Sequence, residues 1–328
     1  MTAPTPHPST VERTVAVNGV ELHVVEAGPA DGFPVVLSHG FPELGYSWRH
    51  QVPALAEAGY RVICPDQRGY GRSSRPEAVE AYDIHHLTGD LIALLDEAGH
   101  ERAAFVGHDW GAMVVNGVAA LHPDRCAAVM AMSVPLLPRG PISPIELFKM
   151  AFGDSFFYML YFQEPGVADA DLGRDPAETM TRMLAGLTVP EGGELDASGL
   201  SAPEGTGFVD RLPKAEGLPD WLSQEELDVY IAEFTRTGFT GGISWYRNLH
   251  RNWETTPQLD GRVLEMPAAF LTGALDPVNL MSPAGLMDGY VRDLRFTRVV
   301  DGAGHWVQQE KPDEVNAAIL ELLSAVTD

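Results

Sequence analysis

The 328-residue chain carries 46 Asp and Glu against 22 Lys and Arg, a formal charge of −24. A surface that negative repels phosphate backbones and anionic membranes, which argues against nucleic acid as a partner. Length and ordinary apolar content suit one large α/β domain with an insertion, or two domains, without disulfide staples.

Residues 1–8 lack both a basic region and an apolar run, so they are expected to form a loose tail rather than a signal peptide, in a cytoplasmic protein. Segments 14–17 and 20–25 alternate apolar and polar residues about Asn18-Gly19, a hairpin pattern. Short apolar runs at 34–37, 61–64, 103–106 and 127–132 read as strands, with helical stretches such as 50–58 and 86–98 between them. Continuous apolar strands alternating with helices describe a mostly parallel sheet covered on both faces. Cys64 and Cys126 sit in such runs and read as small buried core residues, with no metal spacing around them. From about 136 to 256 the rhythm stops, and the chain is rich in Met, Phe, Tyr and Trp, with a Pro/Gly/acid-rich stretch at 189–219. Strands resume at 267–271 and 294–300, and a helix over 312–326 closes the chain. The organisation is therefore a sheet domain, 1–135 and 257–328, interrupted by a largely helical cap at 136–256.

Gly107-His108-Asp109-Trp110-Gly111 follows one of the strands and opens a plausible helix. Strand, sharp turn and helix is the context of a nucleophile elbow, with aspartate where serine is more familiar. The exchange changes the chemistry. A carboxylate attacking an acyl carbon gains little, whereas attack on a saturated carbon with a leaving group gives an ordinary alkyl ester. That ester can then be hydrolysed at its own carbonyl. Asp109 points to opening an epoxide or displacing a halide.

Three kinds of group are needed around it. His305, in Gly302-Ala303-Gly304-His305-Trp306, follows the last strand, and Asp276 follows the strand before it. His305 would take a proton from the water that attacks the ester, with Asp276 fixing its tautomer. His39-Gly40-Phe41-Pro42 follows the strand at 34–37, and the backbone N–H groups of Phe41 and Trp110 are assigned to the oxyanion hole. Pro42 is a candidate for a cis bond in that tight turn. His39 is read as a brace of the loop, and His39, Pro42, Trp306 and Phe157 as neighbours of the substrate. An opened epoxide leaves as an alkoxide and needs a proton. The insertion offers phenols, at Tyr158, Tyr161 and Tyr246, which stay protonated at neutral pH. Phe152, Phe156, Phe157, Leu249 and Trp253 suggest an apolar substrate. His85-His86 and His108-Asp109 are adjacent pairs that nothing nearby completes, so neither a metal nor another cofactor is expected.

Gly-His-Asp-Trp-Gly, His-Gly-Phe-Pro, the Asp66-Gln67-Arg68-Gly69-Tyr70-Gly71 run, Tyr161-Phe-Gln-Glu-Pro-Gly and Trp245-Tyr-Arg-Asn together resemble the epoxide hydrolases of the α/β-hydrolase fold. The resemblance runs from about Thr14 to the final helix. The cap segments also resemble the hydrolase domain of mammalian soluble epoxide hydrolase, whose phosphatase domain has no counterpart here. By that similarity Tyr161 and Tyr246 polarise the epoxide, with Asp109, Asp276 and His305 as the triad. Tyr158, one helical turn from Tyr161, is the alternative at that position. The expected partner is a small apolar epoxide, with a homodimer as a further possibility and no membrane span. Haloalkane dehalogenases share the elbow, Trp included, but a common arrangement has Asn in place of Phe41, and none needs two tyrosines. Fluoroacetate dehalogenases place arginines where this chain has Trp110 and Met113. A non-catalytic ligand-binding protein of this fold usually lacks a triad member.

Overall fold

The computed structural model describes residues 10–187, 207–281 and 284–327. The N-terminal eight residues and most of the acidic 189–219 stretch lie outside the described residues. Eight strands form one sheet: β1 (Thr10–Val17), β2 (Val20–Ala27), β3 (Pro34–Ser38), β4 (Arg61–Pro65), β5 (Ala103–His108), β6 (Cys126–Met132), β7 (Leu264–Gly273) and β8 (Val291–Val300). Their spatial order is β1-β2-β4-β3-β5-β6-β7-β8. The β1–β2 hairpin turns on Asn18 and Gly19, both at positive φ, and β2 pairs antiparallel with β4. From β4 to β8 every pairing is parallel.

Period-two alternation divides the strand side chains between two cores. Val36, Ile63, Phe105 and Val129 join the cluster under the helices Ile84–Glu97 and Trp110–Leu121. Val35, Val62, Ala104 and Met130 join the cluster under Gln51–Glu57 and Pro312–Thr327. Strands buried on both faces have to be continuously apolar, which is why β3, β5 and β6 are so legible. The edge strand β8 begins at Val291 rather than 294, because its exposed edge tolerates Arg292, Asp293 and Arg295.

The sheet order fixes where a ligand can sit. From β3 the chain steps to β4 on one side, then returns to place β5 on the other. Loops leaving β3 and β5 therefore diverge and open a crevice at the carboxyl ends of the strands, the general position of sites in such sheets. Between β6 and β7 the described chain forms helices only, and their apolar faces join the first core through Phe162, Leu184, Tyr230, Ile243 and Trp245. No helix among the described residues is long and apolar enough to cross a membrane.

Candidate active site

β5 delivers the chain into the turn at Asp109, and the helix Trp110–Leu121 carries it away. Asp109 stands at φ 53°, ψ −120°, a conformation that costs a non-glycine residue about 1–3 kcal/mol and persists only where its surroundings impose it. A Cβ on Gly107 would lie 2.2 Å from the Gly111 carbonyl oxygen, and one on Gly111 would lie 1.9 Å from that of Ser38. Both positions of the motif are therefore closed to any residue but glycine.

The strained turn aims the carboxylate into the crevice. Phe41 N donates to Asp109 Oδ1 at 2.8 Å, and Trp110 N also donates to the carboxylate. The Phe41–Pro42 peptide bond is cis. Asp109 Oδ2 lies 3.8 Å from His305 Nε2. His305 Nδ1 in turn lies 3.1 and 3.2 Å from the two Asp276 oxygens. The Asp276 carboxylate also accepts from Val278 N at 2.9 Å.

Electrostatics distinguishes the three groups. Burial raises the Asp109 carboxyl above its ordinary value, partly offset by His305, His108 and the two backbone N–H groups. Burial pushes Asp276 the same way, but His305 and its hydrogen bonds outweigh it and hold the acid below the ordinary range. Burial disfavours a charged His305, yet Asp276, Asp109 and Glu43 together lift it to about 9.

A cavity of about 210 Å³ opens over Asp109. Its floor is Phe41, Asp109 and His305, and its apolar walls include Phe162, Met183, Phe208 and Trp306. Tyr158 and Tyr246 both line it, and burial followed by the nearby Asp109 charge keeps both phenols protonated.

Tyr161 stands elsewhere. Its hydroxyl donates to Asp171 at 3.3 Å, and it is not among the cavity-lining residues. The helix Tyr158–Tyr161 explains this. Residues four apart nearly eclipse on a helix, so Tyr158 and Phe162 share the cavity face, while Tyr161 is rotated about 60° from Tyr158. The resemblance names Tyr161, with Tyr158 as the alternative, and the structure puts Tyr158 in the cavity wall. His39 is also corrected: it is fully buried behind the wall, with Nδ1 at 3.0 Å from Gly40 O and Nε2 accepting from Gln67 N at 3.0 Å. Pro42 and Phe157 do not line the cavity either. Phe157 stacks on Phe152 at 4.1 Å, and Phe156 takes the place at the wall. Of the other apolar residues suggested, Phe152, Leu249 and Trp253 stay off the cavity.

Sequence reasoning missed a buried pair beneath the site. His108 Nδ1 lies 2.7 Å from Glu43 Oε2, and Nε2 lies 2.7 Å from the His305 carbonyl oxygen. Nδ1 thus faces the Glu43 carboxylate while Nε2 faces the His305 carbonyl and the Ser133 hydroxyl. Burial would raise Glu43, but His108, His39 and Gly40 N–H hold it down at about 2. Gln308 and Gln309 donate to its other oxygen at 2.8 and 3.1 Å. The cluster ties the Gly40 loop to the His305 loop. No cluster of three or more His, Cys, Asp or Glu among the described residues is placed to hold a metal ion.

A family model described as alpha/beta hydrolase fold matches residues 34–312. The chain is 58% identical to Epoxide hydrolase A of Mycobacterium tuberculosis, over 96% of this chain and 98% of that protein. The chain belongs to the epoxide hydrolases of the alpha/beta hydrolase fold. The crystal structure of Epoxide Hydrolase A from Mycobacterium thermoresistibile, 58% identical, superposes with a TM-score of 0.91 over 96% of this chain and 98% of that one. An epoxide hydrolase from an endophytic Streptomyces, 41% identical, gives 0.91 over 97% and 96%.

Proposed function

We propose that this epoxide hydrolase converts an apolar epoxide and water to a vicinal diol through an alkyl ester on Asp109. The observation that carries the reading is one apolar cavity holding a carboxylate at its floor and two protonated phenols, Tyr158 and Tyr246, in its walls. The phenols polarise the epoxide oxygen, and Asp109 Oδ2 attacks a ring carbon. The C–O bond breaks as the ester bond forms, and one phenol gives its proton to the departing alkoxide. Asp109 Oδ1 stays against Phe41 N, so the ester carbonyl is formed already in its oxyanion hole. His305, oriented by Asp276, then takes a proton from water as that water attacks the carbonyl. Collapse releases the diol and restores the carboxylate. Two phenols serve an alkoxide leaving group, which favours epoxide opening over halide displacement.

The helical insertion at 136–256 acts in this reading as a cap that supplies the phenols and shapes the substrate. We place the reaction in a reducing cytoplasm, as detoxification of a small apolar epoxide. The buried free thiols of Cys64 and Cys126 suit that setting. A homodimer is the assembly to test by sedimentation.

The experiment is a single turnover of styrene oxide by excess enzyme in ¹⁸O-water, with the diol and the Asp109 peptide both weighed. First-turnover diol free of ¹⁸O with label at Asp109 is expected. Label in the diol and none at Asp109 would mean direct attack by water and would remove Asp109 from the mechanism.

A further inference from the structure

Trp110 is 2% exposed and is not among the cavity-lining residues, although it adjoins Asp109. Its ring meets Tyr246 edge-on, with centroids 5.0 Å apart at 81°. Its side chain hydrogen-bonds the Tyr246 hydroxyl. Indole has a single polar atom, and that atom only donates. The Tyr246 oxygen must therefore be the acceptor, which leaves its own proton free to point into the cavity. Phe41 and Phe162 meet the Tyr246 ring edge-on at 5.4 and 5.0 Å, so the phenol is fixed in place. The Tyr158 ring packs among Phe157, Phe162, Phe208 and Tyr246 itself.

We propose that Trp110 is a positioning residue, whose indole N–H orients the Tyr246 hydroxyl and stabilises its oxygen as the proton leaves. The inference rests on the epoxide-opening reading above. It makes the two phenols unequal. Tyr246 transfers its proton to the alkoxide oxygen as the epoxide C–O bond breaks, and the resulting phenolate keeps the N–H bond. Tyr158, among apolar rings, donates a hydrogen bond and retains its proton. The proton returns to Tyr246 before the next turnover.

The test is a double-mutant cycle of Trp110→Phe and Tyr246→Phe, read by the accumulation of alkylated protein after acid quenching with styrene oxide. Loss of one hydrogen bond to a developing anion predicts an alkylation rate lowered about tenfold by Trp110→Phe. The same substitution in the Tyr246→Phe background should change that rate less than about twofold, because the partner is gone. Replacing Trp110 with 3-benzothienylalanine, which keeps the ring shape without the N–H, should reproduce the loss in a fully folded protein. Equal slowing in both backgrounds, or an unimpaired benzothienyl variant, overturns the inference. Wild-type protein that forms no ester at all overturns the reading beneath it, a separate outcome.

Discussion

The two tyrosines of the helix Tyr158–Tyr161 offer a decisive comparison, because the resemblance chose one and the cavity contains the other. Tyr158→Phe removes a hydroxyl from the cavity and leaves the ring among Phe157, Phe162 and Phe208. The lost donor acts on an oxygen that becomes negative in the transition state, in a site with apolar walls. Removal of one such donor costs about 2.7–4 kcal/mol, a fall of about 10²–10³ in the rate of ester formation. Folding should be little affected, since the ring contacts survive. Tyr161→Phe gives the opposite profile. It breaks a 3.3 Å bond to Asp171 at a half-exposed position, worth about 1 kcal/mol of stability. Its ester formation should stay within about twofold of wild type, because nothing in the cavity changes. The assay is rapid acid quench with styrene oxide, giving the ester-forming rate, alongside thermal melting. A large kinetic loss in Tyr161→Phe with an active Tyr158→Phe would refute the assignment of the cavity phenol.

His305→Gln should still form the ester but hydrolyse it about 10²–10⁴ times more slowly, so alkylated protein should build up to one equivalent by intact mass; absence of accumulation would argue against a separate base. Ester formation should fall with acid as Asp109 protonates, at a pH above the ordinary carboxylate value because burial raises that group; an inflection at or below 3.8 would count against the burial argument. Hydrolysis of preformed ester should instead rise with pH as His305 loses its proton, and a flat profile would remove His305 as the base. Glu43→Gln removes a buried carboxylate whose depression from 4.5 to about 2 corresponds to about 3 kcal/mol, a loss that thermal melting should register. Glu43 is depressed from 4.5 to about 2 in the folded chain, so its stabilisation is full above 4.5 and disappears as pH falls towards 2. The difference in stability between wild type and variant should narrow across that window.

What was legible depended on whether a feature acts locally along the chain. The inner strands declare themselves, since burial on both faces demands runs such as Val35-Val36-Leu37. The elbow also declares itself, because its glycines answer to contacts with Gly111 and Ser38 that no side chain could share. Asp276 and His305 are singled out by their positions after consecutive strands, and the structure brings them to 3.1 Å. The choice between Tyr158 and Tyr161 was not legible in the motif, because it turns on the rotation of a four-residue helix against the sheet. Phe162, four residues after Tyr158, was the available signal: an apolar partner on the same face marks the inward side. Glu43 and His108 are 65 residues apart, and an acid in the His39 loop reads as a surface residue until the fold closes over it. In the sequence His108 is only an unpromising metal neighbour of Asp109, whereas its ring meets the carbonyl of the histidine across the cleft.

On the proposed ester mechanism, the charges around His305 account for how one site would perform two opposed steps. Before reaction, three carboxylates hold the imidazole up at about 9, so it is a cation at neutral pH and useless as a base. The same cation, 3.8 Å from Asp109 Oδ2, helps keep that carboxyl ionised against its burial. Alkylation converts Asp109 into a neutral ester and removes one of the three supporting charges. At that distance an effective dielectric of about 20 makes the lost attraction up to about 4 kcal/mol, or about three pH units of proton affinity. Asp276 remains, so the ring keeps its orientation while its affinity falls towards neutrality. Meanwhile the phenol that protonated the alkoxide is left as an anion in the same cavity. Passing the imidazolium proton to that phenolate neutralises both groups and leaves His305 as the free base needed for water. The nucleophile's own consumption thus prepares its rescue, and water activation before ester formation is disfavoured by the charge that Asp109 still carries.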